Sequence, residues 1–238
     1  MPKRSRRYEE LKEKLDPGKV YELDEALKVM KEMANVKFDE TVEVAVRLGI
    51  DPKQSDQQVR GPVSLPHGTG KEVRVLVFAQ GDKAKEAQDA GADYVGTDEL
   101  SEKIQKGWFE FDAAVATPDL MRVVGKLGKL LGPRGLMPNA KVGTVTFDIG
   151  QTVKEIKAGR LEVRNDKFGN IHLPLGKASF PLEHLTDNLF SVLETLVKMK
   201  PAPARGRYIK GITLTTTMGI GLKLDPNQTL SRMDKRAA

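Results

Sequence analysis

Cysteine is absent from the 238 residues, so disulfides, thiolate metal sites and cysteine nucleophiles are all excluded, and a reducing compartment is compatible. Aromatics are scarce at 5%, with a single tryptophan. No apolar run approaches the roughly 20 residues that a membrane span requires. The start, MPKRSRRYEELKEKL, is basic but is followed by no apolar region, so it is not a secretory signal and the chain reads as cytoplasmic. The three histidines, His67, His172 and His184, are scattered and form no H-x-x-x-H pair. With no Gly-x-Ser-x-Gly either, neither a metal centre nor a serine nucleophile has a motif to rest on. The expectation is a protein without cofactor or metal that is not an enzyme.

What is present points to an anionic partner. Lys+Arg 39 against Asp+Glu 33 gives a formal charge of +6, and the sequence pI is about 9.3. Lys3, Arg4, Arg6 and Arg7 open the chain as a basic arm ahead of a helical pattern from Tyr8 to Leu15. The stretch Gly125–Thr146, GKLGKLLGPRGLMPNAKVGTVT, carries Lys126, Lys129, Arg134 and Lys141 and no acidic residue. Its glycines and prolines rule out one long helix. Such a segment offers cations and backbone N–H groups to phosphates; the alternative is an irregular surface loop. It is no Walker A loop, because Leu130 follows Gly128-Lys129 and no glycine stands at 123.

The periodicity divides the chain. Asp24 is expected to cap a helix with Ala26, Leu27, Met30, Met33 and Ala34 on one face. Val42, Val44, Val46 and Leu48 then alternate with polar residues as in a half-buried strand, and Val59–Leu65 reads as a second. Lys37 and Phe38 stand at the strand entrance. Phe38 could stack a base, but aromatics fill cores more often than they stay exposed, so a core position is expected. Residues 73–78, VRVLVF, read as a strand buried on both faces, followed by alternating helices and strands to Ala116. That alternation predicts a small parallel sheet flanked by helices. Its glycine fingerprint for a dinucleotide is missing, since Ala79-Gln80-Gly81-Asp82 does not supply it.

After Gly159 the strand-rich character returns. Leu161 and Val163, a turn at residues 165–170, and Ile171, Leu173 and Leu175 predict a hairpin. A long amphipathic helix covers Leu182–Met199, and a last strand pair covers Tyr208–Leu224. One domain, 1–67 with 160–238, is therefore expected to be interrupted by an inserted domain, 68–159, with Gly68, Gly70 and Gly159 as hinge positions. The run Thr215–Gly219 suits ribose and phosphate contacts through its hydroxyls and close backbone, although threonine is also simply a good strand former.

Four segments, 125–146, 51–71 (DPKQSDQQVRGPVSLPHGTGK), 164–180 (RNDKFGNIHLPLGKASF) and 215–219 (TTTMG), resemble in order the signatures of the bacterial ribosomal protein L-one family of the large subunit. The resemblance implies an α/β protein. Its first domain would be an α+β, RRM-like split βαβ of ferredoxin-like type, discontinuous around an inserted Rossmann-like α/β domain. It implies large-subunit ribosomal RNA as partner, at the mobile stalk beside the tRNA exit site, with help in releasing deacylated tRNA. Repression of translation from its own operon mRNA is implied as well, by a protein monomeric off the ribosome. Carried onto this chain, the RNA contacts would be Lys37, Phe38, Thr41, Lys53, Asn165, Asp166, Lys167, Thr215, Thr217, Met218 and Gly219. Lys126, Lys129, Arg134 and Lys141 would contact RNA or tRNA secondarily. Phe168 stands where a small polar residue is common, and Ile220-Gly221 where proline is usual. The competing readings are an enzyme or sensor binding a nucleotide in the middle domain, and a general nucleic-acid chaperone.

Overall fold

The computed structural model describes residues 5–13, 15–16 and 18–237, without the side chain of Ala237. Lys3 and Arg4 of the expected arm lie outside the described residues. The chain forms two compact units, residues 1–70 with 163–238, and residues 71–162. The crossings thus fall slightly beyond the boundaries expected at 67 and 160. Gly68 and Gly70 on the way out (φ 63° and 71°) and Gly159 on the way back (φ 115°) all hold left-handed backbone, which favours glycine.

In chain order the first part carries α1 (Arg6–Glu13), α2 (Leu23–Met33), β1 (Thr41–Leu48) and β2 (Arg60–Ser64). The second unit carries β3 (Val75–Phe78), α3 (Asp82–Asp89), β4 (Tyr94–Gly96), α4 (Asp98–Gln105) and β5 (Ala113–Ala116). It continues with α5 (Met121–Gly125), α6 (Gly128–Leu131) and α7 (Ile149–Ala158). The chain ends with β6 (Arg160–Arg164), β7 (Asn170–Lys177), α8 (Leu182–Lys198), β8 (Ile209–Thr216), β9 (Leu222–Leu224) and α9 (Pro226–Ala237). The fold is α/β.

The first unit is built on a sheet of order β7-β1-β8-β9. β1 lies antiparallel to both β7 and β8, which α8 connects, and this is a split β-α-β. Val42, Val44, Val46 and Leu48 point to the buried side of the sheet, where α2 packs on β8 and β9 and α8 packs on β7. α2 has 11 residues, too few to stand alone. Its buried Leu27, Met30 and Met33 each contribute roughly 1.5–3 kcal/mol by leaving water, so docking holds it. Asp24 is not its cap: the helix begins at Leu23, and Asp24 sits in its first turn. There its charge still suits the helix N-terminus.

The hairpin expected across residues 165–170 is not a ladder. β7 pairs with β1 and β6 with β2, and only one bridge, Asn165 to Ile171, links the two arms. Asn165 explains the divergence. Its backbone N–H donates to Val59 O (3.1 Å), and Val59 N–H donates to its side-chain Oδ1 (2.8 Å), which draws the first arm towards β2.

The second unit is a parallel sheet of order β4-β3-β5. All four residues of β3 are buried. Val75 and Val77 pack with Ala87, Ile149 and Val153 on one face, while Leu76 and Phe78 pack with Ile104, Leu127 and Leu131 on the other. The basic stretch 125–146 is therefore no loose loop. Leu127 and Leu131 anchor its short helices in that core, and Lys126, Lys129, Arg134 and Lys141 remain exposed.

Candidate nucleic-acid interface

The sequence-predicted contacts fall into two clusters in the first unit. Lys37, Phe38 and Thr41 enter β1, and Thr215, Thr217, Met218 and Gly219 leave β8 beside them, because β1 and β8 run antiparallel. Lys53, Asn165, Asp166 and Lys167 belong to the opposite end of β1, where Leu48 N–H donates to Gly169 O (2.9 Å). Eight residues of strand separate the ends by about 23 Å. The resemblance assigns both sets to one partner; the structure separates them into two clusters, a first and a second grip.

At the first grip the chain is stitched down. Thr41 N–H donates to Thr217 Oγ1 (3.1 Å), and Thr217 N–H donates back to Thr41 O (3.0 Å). Met218 N–H donates to Glu40 Oε2 (2.8 Å), and the Arg7 guanidinium donates to Met218 O. Lys177 Nζ donates to Thr41 Oγ1 (3.1 Å). A Cβ on Gly219 would lie 2.3 Å from Thr216 Oγ1, so glycine alone fits this turn undisturbed. The result holds two apolar side chains in water: Phe38 is 53% exposed and Met218 48%. Phe38 is thus not core, because Glu40 takes the inward-facing position of this entrance.

Glu40 is the residue that sequence reasoning missed. It is 1% exposed, and its Oε1 has no partner among the described residues. The signal was available: position 40 continues the period-two series of Val42, Val44 and Val46 towards the buried side. Asn188 is a second omission. Three residues beyond Leu185 on the apolar face of α8, its fully buried amide accepts from His67 N–H (3.1 Å). Its Nδ2 donates to Gly68 O (3.0 Å) and Leu175 O (2.6 Å).

At the second grip Asp166 organises the turn. Its Oδ1 accepts from Phe168 N–H (2.8 Å) and Asn170 N–H (2.7 Å), and its Oδ2 accepts from Asn170 Nδ2 (3.0 Å). Desolvation pushes its carboxyl up, but these hydrogen bonds and the nearby His172 outweigh that and hold it below the ordinary range. Asp166 thus commits its carboxyl to the turn itself, while Lys167 and Phe168, the latter 82% exposed, project from it. Lys53 N–H donates to Asp51 Oδ1 (3.1 Å), which fixes that loop.

Between the grips lies the open face of the sheet, with Glu43, Ala45, Arg47, His172, Thr213, Thr215 and Lys223. None of these is Phe, Tyr or Trp, so the face cannot splay and stack bases on large aromatics as many single-strand readers do. It can meet hydroxyls and phosphates of a structured strand.

In the second unit, Arg134 stacks on Phe109 with its Cζ 3.7 Å from the ring centroid. Lys141 N–H donates to Asn139 Oδ1 (2.8 Å). At the end of β3, where doubly wound folds bind nucleotides, α3 begins with the fully exposed Asp82. A carboxylate there repels a phosphate. Among the described residues there is no group of three or more His, Asp or Glu placed to hold a metal, and no helix is long and apolar enough to cross a membrane.

The model of the ribosomal protein L1p/L10e family matches residues 30–220. The large ribosomal subunit protein uL1 of Kosmotoga olearia is 57% identical over 225 residues, covering 94% of this chain and 97% of the relative. Its counterpart from Thermus thermophilus is 58% identical over 228 residues, covering 95% of this chain and all of the relative.

Proposed function

The chain belongs to the ribosomal protein L1p/L10e family, and on that premise we propose that it is a structural constituent of the large ribosomal subunit that binds large-subunit ribosomal RNA through its first unit. The observation that carries the RNA reading is the stitched turn at Thr217–Gly219. Thr41 N–H donates to Thr217 Oγ1 and Met218 N–H donates to Glu40 Oε2, so the turn is tied down with no partner present. A preformed surface of hydroxyls, glycine and exposed Phe38 and Met218 loses little entropy on binding and reads ribose and groove shape. The turn at Asn165–Lys167 and Lys53 give the second grip, and the two fix the direction of the RNA along β1.

On the ribosome this protein forms the stalk beside the tRNA exit site and helps release deacylated tRNA. The exposed Lys126, Lys129, Arg134 and Lys141 of the second unit supply secondary contacts, and Gly68, Gly70 and Gly159 are its hinge positions. Free protein represses its own operon by binding a messenger site that presents the same shape. Asp82 at the start of α3 weighs against a nucleotide-binding enzyme.

The test is binding to the stalk fragment of large-subunit ribosomal RNA, beside a scrambled RNA and the DNA equivalent, across a salt series. The expected result is stalk binding that persists at high salt while the other two fall away steeply. Three parallel salt curves would reduce the interface to a basic surface and reject the specific reading.

A further inference from the structure

A groove on the open sheet face is lined by Arg47 of β1, Arg207 and Lys210 before and at the start of β8, and Lys223 of β9. None of the expected contacts includes it. Its geometry follows from the register. Arg47 lies opposite Gly211, which has no side chain to fill the space between β1 and β8. Lys223 lies opposite Thr213 on the same face. Arg47, Lys210 and Lys223 are exposed and have no carboxylate partner among the described residues. Arg207 is oriented by donating to Ile209 O (3.1 Å) and Asn227 Oδ1 (2.9 Å).

Asp225 is the one acid lining the groove among the described residues. Its Oδ1 accepts from Asn227 N–H (2.8 Å), so it serves the start of α9. Four cations against one engaged carboxylate leave the groove strongly positive. It also runs into the second grip, because Arg47 pairs with Asn170, and Asn170 Nδ2 is bonded to Asp166.

We infer that this groove is a phosphate track: a sugar-phosphate strand of the bound RNA leaves the Asn165–Lys167 turn and crosses Arg47, Lys210 and Lys223 over the open face. The inference rests on the ribosomal RNA reading of the first unit. It adds a set of contacts that position the RNA without reading its bases, since the groove has no large aromatic and presents cations spaced across neighbouring strands.

The experiment compares the full chain with a Lys210→Gln/Lys223→Gln variant, using the stalk fragment across a salt series. A Lys28→Gln/Lys200→Gln variant with the same net charge is the reference; both its lysines are exposed and lie outside the groove. The expected outcome is a salt slope lowered by about two, one for each lost phosphate contact, and affinity lowered roughly tenfold at low salt. The reference variant keeps the slope of the unaltered chain. An unchanged slope in the groove variant, or equal changes in both, would overturn the track. Failure of the unaltered chain to prefer the stalk RNA would reject the ribosomal RNA reading itself, which is a separate result.

Discussion

Met218 hangs from a buried carboxylate: its backbone N–H donates to Glu40 Oε2 at 2.8 Å, beneath a side chain that is itself 48% exposed. The acid keeps the exposed methionine at a fixed height above the sheet. Glu40→Ala leaves the Met218 N–H without its acceptor, which costs about 1–3 kcal/mol when such a group is buried. Thermal unfolding is expected to show that loss, and affinity for the stalk RNA falls with it. Glu40→Gln keeps an acceptor oxygen and is expected to retain most of both. If the alanine variant binds RNA as the unaltered chain does, Glu40 does not position the turn.

The turn itself is expected to matter more than the basic stretch of the second unit. Thr217→Val removes the oxygen that accepts from Thr41 N–H, and Met218→Asp places a negative charge on the face proposed to meet RNA. Each is expected to weaken stalk binding by about 1–3 kcal/mol, the range of lost specific contacts. Lys126→Ala and Lys129→Ala are expected to cost less. Equal losses at the two places, measured by titration under the same salt, would end the two-tier picture.

These residues also show how far the sequence could be read. The alternation through Val42–Leu48 gave β1 its faces, and the nearly continuous apolar run at residues 73–78, broken by Arg74, gave β3 burial on both sides. Those patterns are local, so one sequence contains them. The pairing of β6 with β2 is not local: it depends on Asn165 meeting Val59 across an intervening unit of chain. The residue types of the candidate site can be read from the sequence, but their grouping cannot. Lys53 reads as a loop position and Thr217 as part of the last strand pair, and only the antiparallel course of β1 and β8 sends them to opposite ends of the sheet. Phe38 departs from the burial tendency of aromatics because that tendency describes an average residue, whereas here Glu40 fills the inward position.

Asn188 ties the first crossing to the core, so its replacement is expected to loosen residues 67–68 first. Asn188→Ala strands His67 N–H and the carbonyls of Gly68 and Leu175, at about 1–3 kcal/mol for each group that stays buried. The more discriminating variant is Asn188→Asp. Ionised, it would set a charge in a fully buried site facing two carbonyl oxygens; protonated, it could still donate to one of them. It is therefore expected to be markedly less stable at neutral pH than in mild acid. Hydrogen exchange at His67 and Gly68 would report the local opening. A pH-independent deficit would show that volume, not the hydrogen bonds, is what the site requires.

Acid is expected to weaken the second unit through Asp112. The Lys71 ammonium, 2.6 Å from Oδ1, is the main cause that holds this carboxyl below its ordinary range. Burial pushes the other way, and the Arg74 backbone N–H and guanidinium, both 3.2 Å from Oδ2, reinforce the lowering. A carboxyl with a depressed folded-state pKa binds its proton more readily in the unfolded chain. Its contribution is therefore fully present above the unfolded value of about 4 and is lost as pH falls through the folded one. Asp112→Asn keeps the shape but cannot ionise. The variant is expected to melt lower than the unaltered chain at neutral pH, and the gap should close as the pH is taken well below 4. A gap that stays constant across that window would mean that the side chain acts through packing and neutral hydrogen bonds alone.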